Sequence, residues 1–139
     1  MLDLTPIQRR ALVGDVVVLL VLTIAGFATH LTLGDIGRMV VTAVAALLAW
    51  AAVAGPMGVY RSDLIDNPRI IWRVAWAWVI AAPLATFLRG AALARDIPPT
   101  FVVVVILTNG FALVAWRVLL GWSLTRSYRT GSRSTSSQR

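Results

Sequence analysis

The chain has 139 residues, 58% of them hydrophobic, with a mean hydropathy of +0.79 and a formal net charge of +7. A soluble domain is about half apolar, and four long apolar runs with hardly any amphipathic stripe would leave such a domain without a polar surface. There is no cysteine, which excludes disulfides, thiolate metal sites and cysteine nucleophiles.

A spanning helix needs about 20 mostly apolar residues. The first such segment covers 11–31. Thr5 and Pro6 before it read as an N-cap and a first-turn proline, so the helix begins in the interface with Arg9 and Arg10 at headgroup level. It is too long for a signal-peptide core, carries Asp15, and is followed by three more spans, so it reads as a retained helix. The second covers 36–54, with Asp35 as cap and Gly55-Pro56 at its end. The third covers 68–88, opened by Asn67-Pro68. Pro83 inside it is expected to kink the helix, which a membrane span tolerates. The fourth covers 99–124, after Pro98. Residues 125–139 are mostly Ser, Thr and Arg and are expected to form a disordered basic tail. The fold class is all-α: one transmembrane domain, 1–124, forming a four-helix bundle of two hairpins. A faint echo links them. Asp35-Ile36 matches Asp96-Ile97, and Ala49-Trp50 before Gly55 matches Ala115-Trp116 before Gly121. Chance or a parallel repeat would both produce it.

Every basic residue is Arg and every acidic one Asp. Ten of the thirteen arginines fall in or beside the amino end, the loop between the second and third spans, and the tail. Only Arg38, Arg89 and Arg95 fall at the other end. By the positive-inside rule both termini are cytoplasmic in the cell membrane. The partner implied is an anionic lipid headgroup at that face rather than nucleic acid. All six tryptophans lie in the cytoplasmic half, where interfacial anchoring favours them.

Ionisable groups inside a bilayer are functional candidates. Asp15, Arg73 and Arg117 lie toward the cytoplasmic face. Side chains lean toward a helix's amino end, so Asp15 and Arg73 can reach water while Arg117 leans into hydrocarbon and needs a partner. Asp15 is the acidic residue within a span, and its pairing with Arg117 would fix helix register. Its other reading is a proton or cation site. Asn109, in mid-helix, reads as interhelical glue or as cavity lining. His30, Asp35, Arg89, Arg95 and Asp96 gather near the outer face, either as a solvated rim or as an anion site. Ala77, Ala81 and Ala85, with Ala45 and Ala49, form small-residue faces for close packing within the chain or across a homo-oligomer.

Gly14-Asp15, His30, Tyr60-Arg61, Trp78, Pro83-Leu84, Leu88-Arg89-Gly90, Pro99, Phe101-Val102 and Trp116-Arg117 together resemble a family. It consists of small bacterial and archaeal membrane proteins known only as a domain of unknown function. The resemblance covers about residues 13 to 122 and implies a four-helix membrane fold without a known activity.

No phosphate loop, catalytic set, cofactor motif or metal-ligand spacing is present in the sequence. The expectation is a non-enzymatic membrane protein, a structural or accessory subunit with a membrane-protein partner or a second copy. The alternative is a small-solute or ion transporter with Asp15, Arg89, Asn109 and Arg117 along its path.

Overall fold

In the computed structural model, residues 4–30, 34–61, 69–96 and 98–135 are described, without the side chains of Arg69 and 124–135. Four helices follow in order: α1 (Pro6–Thr29), α2 (Ile36–Ala54), α3 (Arg69–Leu93) and α4 (Pro99–Thr135). No strand occurs among the described residues.

Local chemistry explains the ends. Thr5 and Gln8 form a capping box: the Thr5 hydroxyl accepts from Gln8 N–H, and Gln8 Oε1 accepts from Thr5 N–H at 2.7 Å. Two of the orphan donors at the start of α1 are thereby satisfied. Asp35 caps α2 through Arg38 N–H. The Asn67-Pro68 signal and Ile97 lie outside the described residues. Helix α3 runs five residues past Leu88, unbroken at Pro83. It ends in a Schellman turn, with Arg95 N–H on Gly90 O and Ala94 N–H on Ala91 O, and with Ala94 left-handed at φ 47°. Helix α4 continues past Leu124 through Thr135, where the sequence suggested a disordered tail. After Pro99 no proline interrupts it, so each residue can keep its i→i−4 bond.

Long-range contacts set the directions. Gln8 at the start of α1 donates to Tyr60 O beyond α2, and Arg89 near the end of α3 donates to Thr42 near the start of α2. The same Arg89 lies over the Phe101 ring at the start of α4. The helices therefore run up, down, up, down. Helices α2 and α3 pack most extensively, then α3 and α4. Helix α1 touches α2 and α4, and the diagonal pairs make no close backbone approach among the described residues.

The apolar pattern is inverted relative to a soluble protein. Among the described residues, nine of the seventeen buried apolar ones are alanines, while Val13, Val17 and Val21 on α1, Val40, Val44 and Leu48 on α2, and Leu107 and Phe111 on α4 are exposed. Water would not tolerate so large an apolar exterior, whereas lipid matches it, and small residues inside let backbones approach. All four helices are long and apolar enough to cross a membrane. The chain is a multi-pass membrane protein with a four-helix bundle. The alanines Ala45, Ala49, Ala77, Ala81 and Ala85 all pack inside the chain, which settles that part of their role.

Tryptophan placement is more divided than an interfacial belt. Trp72, Trp76 and Trp122 are exposed, but Trp50 and Trp78 are buried with ring centroids 5.9 Å apart. Trp78 Nε1 donates to Val105 O at 3.2 Å, which satisfies its one polar atom in the core. Trp116 is half-buried beside α1. The two halves of the Ala-Trp echo thus differ: Trp50 is core, and Gly55 ends α2 while Gly121 lies within α4.

Candidate functional site

The densest polar chemistry lies where α1 crosses α4, in the half of the bundle that holds the start of α1. Two dipeptides face each other there. Gly14 lies under the indole of Trp116, and a Cβ on Gly14 would sit 2.0 Å from Trp116 Cε2 and Cζ2. Only glycine allows that approach. One residue further on each helix, Asp15 and Arg117 meet in a two-point ion pair. Arg117 Nε donates to Asp15 Oδ1 at 3.1 Å and Nη2 to Oδ2 at 2.5 Å. Both side chains are almost wholly enclosed, at 2% and 0% exposure. This fork geometry is specific to arginine and carboxylate.

A third element completes the network. After α2 the chain turns back through Gly58, left-handed at φ 67°. Val59 N–H bonds to Ala54 O at 3.0 Å, and Val59 itself is fully buried. This turn sends Tyr60 into the bundle. Its hydroxyl donates to Asp15 Oδ2 at 2.7 Å and accepts from Trp50 Nε1 at 2.8 Å, and its ring lies under the Arg117 guanidinium, 5.2 Å from Cζ. Burial, and then the neighbouring Asp15 charge, push the Tyr60 phenol above its ordinary value. Among the described residues, Arg117 Nη1 and Trp116 Nε1 at this crossing are buried without a hydrogen-bond partner.

The structure thus brings Asp15 and Arg117 together and adds Tyr60 and Trp50, which sequence reasoning did not place there. Tyr60-Arg61 was part of the family resemblance, but nothing local to it reports that the turn folds inward. Arg73 is not a partner of Asp15. Its Nη1 donates to Met57 O at 3.0 Å and pins the same turn from the α3 side.

The remaining candidates are dispersed. Asn109 is half-buried on α4 and makes no side-chain hydrogen bond among the described residues. At the other end Asp35 pairs with Arg38 at 3.0 Å, one turn along the same helix. Arg89 is drawn into the bundle, its Nε 2.9 Å from Thr42 Oγ1 and its Cζ 5.1 Å from the Phe101 ring centroid. His30, Arg95 and Asp96 are exposed. His30 caps α1 through its backbone N–H on Gly26 O. These five residues therefore form no single converging cluster, because Arg89 turns inward while Asp35 is taken up by Arg38.

Chemically, the network is an assembly of matched donors and acceptors between three segments. No group of metal-ligating residues occurs among the described residues. Leu19, Trp78, Ala81, Ala82, Ala85 and Leu113, which lie along α1, α3 and α4 between the levels of Asp15 and Arg89, belong to one buried apolar cluster.

No curated protein and no solved structure matches the chain. One protein family does, described as Protein of unknown function (DUF3054), over residues 12–120. That range begins just before Gly14-Asp15 and ends just after Trp116-Arg117, so it encloses the whole crossing of α1 and α4; the chain belongs to the DUF3054 family.

Proposed function

We propose that the protein is a non-enzymatic structural or accessory subunit of the cell membrane, with both termini in the cytoplasm. The observation that carries this reading is the occupancy of Asp15. Both carboxylate oxygens are already engaged by Arg117 and Tyr60, so the acidic group with most catalytic or ion-binding potential is spent on joining helices. The apolar filling between the two ends supports the same reading. Orientation rests on the arginine distribution, ten against three. The exposed apolar faces of all four helices leave ample surface for a membrane partner or a second copy.

Purification from native membrane in mild detergent tests the proposal. A stoichiometric integral membrane partner, or a defined homo-oligomer, is the expected result. Cysteine labelling tests orientation without background because the chain has no native cysteine. Ser62→Cys should react only from the cytoplasmic side and Ala94→Cys only from outside.

A transport reading draws on two observations: the unpartnered Arg117 Nη1 and the unbonded Asn109. Reconstituted protein would then dissipate an ion or proton gradient, and Asp15→Asn would abolish the leak. Vesicles as tight as protein-free controls across several ions would eliminate that reading.

A further inference from the structure

A groove of about 810 Å³ runs along the outer side of the α1–α4 crossing. Its mouth carries Arg9 and Arg10, both exposed at the start of α1. Its walls are Val13 and Val17 from α1 and Trp116 and Leu120 from α4. We propose that this groove is a binding site for one anionic phospholipid, with the phosphate held by Arg9 and Arg10 and an acyl chain lying along the Val13–Val17 wall.

Charge and depth both point to a lipid. None of the lining residues is acidic, so the two guanidinium groups have no counter-charge within the groove. Side chains on α1 lean toward its amino end, which carries Arg9 and Arg10 outward to headgroup level. From Arg10 to Val17 the helix rises roughly 10 Å, into the depth of the acyl chains. Val13 and Val17 there, one turn apart, each leave about half of their surface exposed among the described residues. A groove charged at one end and apolar along its length matches an amphiphile, and basic pockets between spanning helices commonly hold anionic headgroups. Gly14 contributes indirectly. By admitting Trp116 against the α1 backbone, it recesses the indole and forms the floor between the two helices. The site requires only that the chain cross a bilayer. It is independent of which side the termini face and of whether the protein is an accessory subunit.

The test is lipid retention in bilayer discs of phosphatidylcholine containing a minority of phosphatidylglycerol. After release into the gas phase or into excess detergent, the protein should keep one phosphatidylglycerol. The preference over phosphatidylcholine should be about thirtyfold, since each of the two arginines near a charged surface contributes about fivefold. Arg9→Gln with Arg10→Gln should bring the preference near parity while helix content is unchanged. Val17→Trp, which fills the wall and leaves the charge, should reduce retention of phosphatidylglycerol. Equal retention of both lipids by the unaltered protein would overturn the proposal, as would a preference that survives loss of both arginines. Efficient disulfide crosslinking of Val13→Cys between two copies in the discs would also overturn it, by showing that a second copy covers the groove. In each of these outcomes the protein still enters the disc, so the membrane reading is judged separately.

Discussion

Helices α2 and α3 meet along rows of alanine, whereas α1 meets α4 through one glycine and one ion pair. On the first interface Ala46 and Ala49 share one apolar cluster with Ala77, Ala81, Ala82 and Ala85, with the Trp50 and Trp78 rings tilted against each other among them. Helix α1 buries only Ala11, Asp15 and Leu19. The difference reflects what lipid can and cannot drive. An apolar side chain gains little by moving from lipid to protein, so helices associate through close van der Waals contact or through polar bonds that lipid cannot replace. The α2–α3 hairpin uses the first route over its whole length. Helix α1 has too few small residues facing inward and relies on the second, concentrated at one level.

The largest expected effect breaks the polar side of this contrast. Asp15→Leu or Arg117→Leu alone strands a buried charge and should lower stability by roughly 3 kcal/mol, read by unfolding in mixed micelles. The double substitution should recover most of the loss, because replacing both partners by apolar groups can be neutral. Strictly additive losses would mean that the pair does not couple the helices.

Overpacking tests both interfaces together. Gly14→Ala drives a methyl group into the Trp116 ring and should cost about 2 kcal/mol, and Ala81→Leu should cost about 1–3 kcal/mol at the alanine interface. Trp116→Leu should relieve the first defect and leave the second untouched. An unchanged unfolding midpoint for Gly14→Ala would mean that the indole swings aside freely, and that α1 is not held by close approach.

Tyr60 probes the link between the two regions, since it joins Trp50 on α2 to Asp15 on α1. Tyr60→Phe leaves Trp50 Nε1 without a partner and should cost about 1–2 kcal/mol. The phenol also has a pH signature. Its folded-state value is raised above the ordinary 10.0, so the folded protein holds the proton where the unfolded chain releases it. The resulting stability is complete below pH 10 and is lost as pH rises from there through the folded-state value. In a Tyr128→Phe background, which leaves Tyr60 as the remaining tyrosine, an absorbance titration should show the phenol still protonated above pH 10. Normal titration would show that the hydroxyl is open to water.

The smallest effect lies outside both interfaces. Ala94 holds a left-handed conformation at the end of α3, which costs a residue with a side chain about 1–2 kcal/mol. Ala94→Gly should stabilise the protein by about 0.5–1 kcal/mol once glycine's extra backbone freedom is deducted. A destabilised variant would mean that the Ala94 methyl group makes contacts of its own.

Particular residues mark how far the sequence could be read. Thr5-Pro6 and Asp35 announce helix starts because caps depend on a few neighbouring atoms. Arg117 could be expected to need a partner because the direction of a helical side chain is itself local. Arg73 carries the same charge, lies toward the same face, and is by sequence the next candidate after Arg117 for Asp15. The choice between them depends on which helices stand side by side, and α1 adjoins α4 but not α3 among the described residues. The tryptophans illustrate the same limit. Their common depth follows from position along the helices, while the division into buried Trp50 and Trp78 and exposed Trp72, Trp76 and Trp122 depends on rotation about each helix axis.

The sequence by itself determined that four apolar helices exist and that they lie antiparallel. Span length, hydropathy and short connections are properties of contiguous residues, and a bilayer admits few alternatives. Only the tertiary structure decided that Gly14 meets Trp116, that Tyr60 folds back to Asp15, and that Arg89 turns inward to Thr42 and Phe101. Those contacts join residues far apart in the chain. Their geometry depends on helix rotation and on one left-handed turn at Gly58, neither of which leaves a periodic signal in the sequence.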